Sequence, residues 1–134
     1  MTDLDFVLRA VDRLRSDGIR TWVCGSWADE LRGLAPPRDH PDLDLLYPAR
    51  DWRRVDLLGL DWADRRRVTW KRSFEFDGTP VELYLVERDA EGWFTRRAGR
   101  RHAWPDDVFA THGRLPVAST AALLGYRRAD RRAA

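Results

Sequence analysis

The feature that most constrains this chain is the triplet Asp42-Leu43-Asp44, which opens an apolar run to Tyr47 that is typical of a strand. In an extended chain, side chains two positions apart point to the same face, so both carboxylates crowd one spot, with Leu43 and Leu45 behind them. Two like charges held together are unfavourable unless a cation lies between them. Hard oxygen ligands of this kind suit Mg²⁺. The alternative is a solvated turn, in which Asp-x-Asp has no such role.

A Gly-Ser pair upstream favours the metal-site interpretation. Gly25 and Ser26 lie between a β-rich run, Ile19 to Cys24, and a predicted helix over about 27–33 that Ser26 can cap. Backbone N–H groups at such a junction point outward and favour an anion, so a phosphate can dock there. Glycine allows a close approach, and the Ser26 hydroxyl is a further donor. A lone Gly-Ser pair is weak support, so the prediction depends on both features together.

The composition predicts one ordinary globular domain spanning residues 1–134, with a flexible tail from about Arg127. The sequence contains no run of 18 apolar residues, so no membrane span is expected. Cys24 is the single cysteine, and a cytoplasmic location is the default expectation. The basic residues are 23 Arg and one Lys, Lys71, yet the formal net charge is only +2. A solvated basic face is therefore the favoured interpretation, and nucleic-acid binding is not expected.

The periodicity along the chain predicts alternating helices and strands around this centre. Further helices are expected over residues 3–15, from about 48 to Gly59 with Trp52, Val55, Leu57 and Leu58 inward, and over Thr120–Tyr126. Further strands are expected at 60–63, 68–76 and 79–87. Residues 88–105 are expected to be a loop with one weak strand near 93–96, and edge strands are expected at 108–109 and 115–117. Ser119 is expected to cap the last helix.

A third carboxylate is expected from the hairpin that turns at Asp77-Gly78. In its second strand, Val81, Leu83 and Leu85 alternate with Glu82, which therefore points to the opposite face. If that strand lies beside the strand of the Asp-Leu-Asp triplet, Glu82 completes a carboxylate triad.

Three carboxylates beside a phosphate-binding turn suit two-metal phosphoryl or nucleotidyl transfer. The metals would neutralise a triphosphate and lower the pKa of an attacking hydroxyl, while the third carboxylate accepts or orients its proton. Such chemistry needs no nucleophilic side chain. Cys24, which precedes the turn, is accordingly interpreted as a small buried hydrophobe.

At these positions the chain resembles the nucleotidyltransferases of the DNA polymerase β superfamily. The similar segments read Gly25-Ser26-Trp27-Ala28-x-Glu30 and Arg38-x-His40-x-Asp42-Leu43-Asp44-Leu45, with Val81-Glu82-Leu83 as the strand of the third acid. Within the superfamily the likeness is to the aminoglycoside and lincosamide nucleotidyltransferases, and it extends more loosely from residue 3 to about 126.

The resemblance implies an α+β fold with a mixed sheet of about five strands flanked by helices. It also implies two Mg²⁺ ions and transfer of a nucleoside monophosphate, expected to be AMP from ATP, to a hydroxyl of a small, aminoglycoside-like molecule. By the same resemblance, Gly25 and Ser26 hold the β- and γ-phosphates, Asp42, Asp44 and Glu82 bind the metals, and Arg38 and His40 lie beside the triphosphate. An alternative for His40 is a role in ordering the loop, and Glu30 is expected to orient the Ser26 turn.

Two departures from the family pattern leave the acceptor open. The third acid is Glu82 where Asp is commoner. By the resemblance, we also expect this sequence to hold no counterpart of the further helical domain that builds much of the acceptor pocket in the antibiotic-modifying relatives. The acceptor site is then shallow, completed by a homodimer or protein partner, or absent. Aromatic side chains that could line it are Trp70, Tyr84, Trp93 and Trp104, although core packing explains most of the seven tryptophans. The alternative functions are an antitoxin-like protein that binds or modifies a protein partner, and a nucleotide- or RNA-binding module that uses the arginine clusters.

Overall fold

A computed structural model describes residues 3–59 and 68–133 of the chain. Within these ranges the helices are α1 (Leu4–Ser16), α2 (Gly25–Leu31), α3 (Arg53–Asp56) and α4 (Thr120–Ala133). The strands are β1 (Trp22–Cys24), β2 (Leu43–Pro48), β3 (Lys71–Phe76), β4 (Thr79–Asp89), β5 (Gly92–Arg97), β6 (Arg100–Ala103), β7 (Phe109–His112) and β8 (Leu115–Ala118). None of the helices in these ranges has the length and apolar character that crossing a bilayer requires.

All of these strands join one mixed sheet in the order β6-β5-β4-β2-β1-β8-β7, with β3 paired to β4. The β1–β2 pair is antiparallel, whereas β2–β4 and β1–β8 are parallel. The predicted α+β class with a mixed sheet is confirmed. The expected number of about five strands is wrong, since the described part of the sheet has eight.

The centre of the sheet is the parallel pair β2–β4, in which Asp44 lies opposite Glu82 and Leu45 opposite Leu83. The predicted turn at Asp77-Gly78 joins β3 to β4, and both residues adopt positive φ, 49° and 77°. This conformation is typical of a two-residue hairpin turn, because its twist matches that of the flanking strands.

Much of the hydrophobic core lies on the side of β2 and β4 that bears Leu43, Leu45, Val81 and Leu83, all of which are buried. Helix α1 contributes one apolar face to it, namely Phe6, Val7, Ala10, Val11 and Leu14. The Asp3 side chain caps this helix by accepting a hydrogen bond from Phe6 N at 2.8 Å. The carboxylates of β2 and β4 are thereby left on the other side of the sheet.

Several element predictions need correction. The helix expected from 48 to 59 is only the four-residue α3, Pro48 belongs to β2, and Leu57 is 85% exposed rather than inward. The weak strand expected near 93–96 is confirmed as β5 (Gly92–Arg97). The loop expected over the rest of 88–105 is wrong in part, because β4 continues to Asp89 and β6 (Arg100–Ala103) pairs with β5. Strand β8 lies inside the sheet, between β1 and β7. Helix α4 extends beyond the expected end at 126, and the strand expected at 60–63 lies outside the described residues.

Candidate active site

Three carboxylates meet on the polar side of the sheet. Asp42 precedes β2, Asp44 lies within it, and Glu82 lies beside Asp44 on the parallel strand β4. One oxygen from each residue lies within 4.8 Å of the others. The structure therefore brings together the three acids that the sequence pattern singled out.

The Asp44 carboxyl is the most perturbed group of this cluster. Its pKa is raised to about 8, first by burial and then by a hydrogen bond with Glu82 and the nearby charge of Asp42. Its Oδ1 atom is buried and has no hydrogen-bond partner among the described residues. A buried carboxylate oxygen without a partner is unfavourable unless a cation or donor is supplied from outside the chain.

Gly25 is required by the position of Asp44. The two residues are neighbours because Cys24 on β1 pairs with Asp44 on β2. A Cβ atom at Gly25 would lie 2.5 Å from Asp44 Oδ2, and its backbone has φ +66°. Any side chain here would both clash with the carboxylate and strain the backbone. The glycine that the sequence suggested for phosphate approach thus also makes room for a carboxylate of the triad.

Both carboxylate oxygens of Glu82 have partners within the chain. Lys71 Nζ lies 2.8 Å from Oε1, and the Tyr84 hydroxyl donates a 2.9 Å hydrogen bond to Oε2. Burial by itself raises the pKa of Glu82, but the hydrogen bonds from Lys71, Asp44 and Tyr84 outweigh it and hold this pKa below its usual range. Glu82 is therefore ionised and held in place, and it accepts a hydrogen bond through the proton that Asp44 retains.

Sequence reasoning missed the roles of Lys71 and Tyr84. The signal for Lys71 was visible, since it is the single lysine in a chain with 23 arginines. Its position on β3, opposite Tyr84 of β4, becomes clear only from strand pairing. The Lys71 ammonium is a compact point charge that pairs with one oxygen of Glu82 and leaves the other to Tyr84.

This donor set fits a divalent metal ion. It offers three carboxylates, a buried oxygen without a partner, and a raised pKa at Asp42 that reflects burial and then the charge of Glu82. A bound cation would satisfy the orphaned oxygen and relieve the repulsion among the acids. Hard carboxylate oxygens favour Mg²⁺ or a similar ion.

The predicted cap of α2 by Ser26 is wrong. Cys24 occupies the N-cap position and makes no side-chain capping hydrogen bond, and Ser26 already lies within the helix. Ser26 Oγ instead lies 2.8 Å from His40 Nδ1. The serine therefore joins the helix to the loop that leads into the aspartates.

His40 is the centre of a buried network. It is 1% exposed, its Nε2 lies 3.0 Å from Glu30 Oε1, and the Trp27 ring lies 4.3 Å from it between centroids. If the imidazole is neutral and donates from Nε2 to Glu30, its Nδ1 can only accept, so Ser26 donates to it. The hydroxyl proton is then directed at His40 rather than at a phosphate. This geometry supports the loop-ordering alternative for His40.

Glu30 fixes the loop directly as well. Its Oε1 accepts a 2.9 Å hydrogen bond from the backbone N–H of Arg38, and its pKa is lowered by the hydrogen bond to His40 and then by that to Arg38. The Arg38 side chain itself is exposed. Glu30 therefore orients the Ser26 turn through His40, and contact of Arg38 or His40 with a triphosphate stays a prediction.

A cavity of about 110 Å³ opens beside Asp44 and Gly25 on the same side of the sheet. Of the four aromatic residues suggested for an acceptor surface, Tyr84 and Trp104 line it. Trp93 packs against Phe109 instead, at 4.8 Å between ring centroids. Trp70 stacks on Tyr84 outside the lining.

No protein-family model matches the chain, and no curated protein matches it. Solved structures do match. The lincosamide antibiotic adenylyltransferase LnuA, in a lincomycin-bound structure, superposes with a TM-score of 0.69 at 14% identity, over 92% of this chain and 84% of that one. ANT(2")-Ia in complex with adenylyl-2"-tobramycin has a TM-score of 0.57 at 19% identity, over 93% and 73% of the two chains. A putative nucleotidyltransferase from Thermotoga maritima, TM1012, has a TM-score of 0.54 at 18% identity, over 99% and 89%.

The chain therefore has a nucleotidyltransferase-like fold, as the resemblance in sequence predicted. Among the structures it resembles are those of antibiotic nucleotidyltransferases. At these identities the likeness establishes the fold, and the function is inferred from the residues of the site in this chain.

Proposed function

We propose that this protein is a Mg²⁺-dependent nucleotidyltransferase that moves AMP from ATP to a hydroxyl group of a small molecule. The observation that carries the proposal is the cluster of Asp42, Asp44 and Glu82, with its orphaned buried oxygen, at the centre of a nucleotidyltransferase-like fold. The neighbours support a small-molecule acceptor, since one was solved with lincomycin and another with adenylylated tobramycin.

In the proposed reaction, an acceptor hydroxyl attacks the α-phosphorus, the new O–P bond forms, the bond to pyrophosphate breaks, and the hydroxyl proton passes by way of the Glu82 carboxylate to solvent. Asp42 and Asp44 would hold the metal, which supplies charge neutralisation of the triphosphate and a lower pKa for the attacking hydroxyl. Glu82 would orient that hydroxyl, because Lys71 and Tyr84 fix the direction of its carboxylate. The low pKa of Glu82 makes it a better ligand and orienting group than a proton store.

The phosphate-binding roles of Gly25, Ser26 and Arg38 belong to the same proposal. Gly25 leaves open backbone next to Asp44, and the Arg38 guanidinium is exposed on the anchored loop that precedes Asp42. Binding of two metal ions, and completion of the site by a homodimer or a protein partner, stay predictions.

The test measures pyrophosphate release and acceptor labelling from ATP labelled in its α-phosphate, with and without Mg²⁺. Asp44→Asn should abolish both signals, because it removes a metal ligand while keeping the side-chain shape. Asp39→Asn is the matched control, since Asp39 is an exposed acid of the same loop. Transfer that persists in Asp44→Asn, or equal losses in the two variants, would refute the assignment of the metal site.

A further inference from the structure

The single lysine of the chain lies against the third carboxylate of the cluster. Lys71 Nζ lies 2.8 Å from Glu82 Oε1, and the other oxygen, Oε2, accepts a 2.9 Å hydrogen bond from the Tyr84 hydroxyl. Both oxygens of this carboxylate are therefore engaged within the chain, and one of their partners is already a cation. The part that this cation takes in the reaction rests on the proposed function.

The pairing of two strands fixes Lys71 beside Glu82. In the antiparallel pair β3–β4, Lys71 lies opposite Tyr84 and Ser73 lies opposite Glu82. The side chains of Lys71 and Glu82 are 24% and 20% exposed, so most of the surface of each is removed from water. A partly buried ion pair is screened much less than a pair at the open surface. The positive charge of Lys71 is thus a constant part of the site.

The free capacity to bind a metal ion lies on the two aspartates. Asp44 Oδ1 is buried and has no hydrogen-bond partner in the part of the chain that the structure describes, and Asp42 offers an oxygen in the same cluster. An ion held by Asp42 and Asp44 would use these oxygens and leave both partners of Glu82 in place. A second ion on Glu82 Oε1 would have to displace the ammonium group of Lys71 or lie directly beside it.

The charges of the cluster balance with one divalent ion. With a cation bound, Asp42, Asp44 and Glu82 carry three negative charges, and one divalent ion and the Lys71 ammonium together supply three positive charges. A second divalent ion beside Glu82 would be repelled by both the first ion and the ammonium, where charges are weakly screened. The charge of Arg38 also acts on Asp42, so the triphosphate of ATP would have a counter-charge of its own.

The kind of basic residue suits this place. The ammonium group of lysine is a compact point charge with three donors, whereas the guanidinium of arginine is a planar fork. The other 23 basic residues are all arginine, and the one lysine lies beside a carboxylate of the proposed metal site. We propose that Lys71 takes the place of one of the two metal ions that the resemblance implies. One divalent ion then binds to Asp42 and Asp44, and Lys71 is a positioning residue that holds Glu82 for the attacking hydroxyl.

The test counts the metal ions that the full chain binds. Mn²⁺ is the probe, added to saturation together with a non-hydrolysable ATP analogue. Electron paramagnetic resonance measures both the number of bound ions and the magnetic coupling between neighbouring ions. The wild type should bind one Mn²⁺ ion per chain and give an uncoupled spectrum. Two bound ions with a coupled spectrum in the wild type would overturn the proposal, whether or not any variant folds.

Removal of the ammonium group should raise the count from one ion to two. In Lys71→Gln the uncharged amide no longer repels an ion beside Glu82, so a second Mn²⁺ ion should bind and the spectrum should become coupled. Arg114→Gln is the matched control, because it removes one positive charge from an exposed residue on the turn between β7 and β8, and it should keep one ion. A single bound ion in folded Lys71→Gln would overturn the role of Lys71.

The ion count and the reaction fail in different ways. Pyrophosphate release from ATP and Mg²⁺ is measured in parallel on the same preparations. One ion in the wild type and two in Lys71→Gln, without any pyrophosphate release, would support the role of Lys71 and count against the proposed reaction. Mg²⁺-dependent transfer by a wild type that binds two coupled ions would support the reaction and overturn the role of Lys71.

Discussion

Replacement of Asp44 by Asn should stabilise the metal-free protein while abolishing nucleotidyl transfer. The folded protein holds the pKa of the Asp44 carboxyl at about 8, whereas the ordinary value is 3.8. Between these two values the folded state retains a proton that the unfolded chain has released. Folding is therefore penalised increasingly as the pH rises, which is the sign expected for an acid whose pKa is raised in the native state.

The slope of this effect is about 1.4 kcal/mol per pH unit for one proton. The lowered pKa of Glu82 acts in the opposite direction, but its stabilisation is already complete above its ordinary value of 4.5. The fall in the free energy of unfolding that Asp44 causes therefore dominates from about pH 5 to pH 8. The Asp44→Asn substitution removes this pH dependence, and the asparagine amide can still donate a hydrogen bond to Glu82. Over about three pH units this slope amounts to at most about 4 kcal/mol, and relaxation of the coupled pair reduces it. We therefore expect the free energy of unfolding of Asp44→Asn to exceed that of the wild type by about 2–3 kcal/mol at about pH 8.

Urea denaturation in a chelator, followed at several pH values from about 5 to 9, measures this difference directly. The free energy of unfolding of the wild type should fall towards the pKa of Asp44, while that of Asp44→Asn should stay flatter, and Asp39→Asn should follow the wild type. Added Mg²⁺ should stabilise the wild type and Asp39→Asn but not Asp44→Asn, by an amount that grows with the logarithm of its concentration. Parallel pH curves for the wild type and Asp44→Asn would refute the reasoning about the buried carboxyl.

Three further substitutions test the surroundings of the site. Lys71→Gln should tighten Mg²⁺ binding about tenfold, because the ammonium group competes with the metal for the third carboxylate. Calorimetric titration measures the Mg²⁺ affinity, and an affinity equal to that of the wild type would contradict the prediction. Gly25→Ala should lower the free energy of unfolding by about 1–3 kcal/mol more than Gly33→Ala, since both have positive φ but only Gly25 abuts a carboxylate. Equal losses of stability in the two variants on thermal unfolding would show that the close approach is unimportant. Glu30→Ala should lower the free energy of unfolding by about 1–3 kcal/mol by leaving the buried His40 Nε2 without its carboxylate, and a smaller loss in urea denaturation would argue against the network.

Local patterns in the sequence were sufficient for much of the fold. The alternation of Val81, Leu83 and Leu85 predicted which side of β4 carries Glu82, and Asp77-Gly78 predicted the hairpin. The predicted cap by Ser119 is confirmed, since its Oγ accepts a 3.1 Å hydrogen bond from Ala122 N. These features depend on periodicity or on turn chemistry within a few residues, so a single segment contains the information.

Patterns failed where local periodicity was masked. Strand β6 was not predicted, because arginines occupy consecutive exposed positions on both sides of the β5–β6 turn, namely 96, 97, 100 and 101, and leave no apolar alternation. One of them, Arg101, pairs with Asp89 of β4 at 2.6 Å. Such a pairing links segments that are separate in the sequence, so a strand with charged side chains resembles a loop until the pairing is known. The predicted length of helix α3 was wrong for the opposite reason. Apolar residues such as Leu57 indicated a buried face, but the packing leaves Leu57 exposed.

The sequence by itself determined which carboxylates share a face of the sheet and that a Gly-Ser turn precedes them. Only the tertiary structure decided that Asp44 stands beside Glu82, that Lys71 and Tyr84 hold Glu82, and that a cavity closes against Asp44. The reason is physical. Which face a side chain takes follows from its own strand, whereas its neighbours follow from the pairing and packing of segments far apart in the chain.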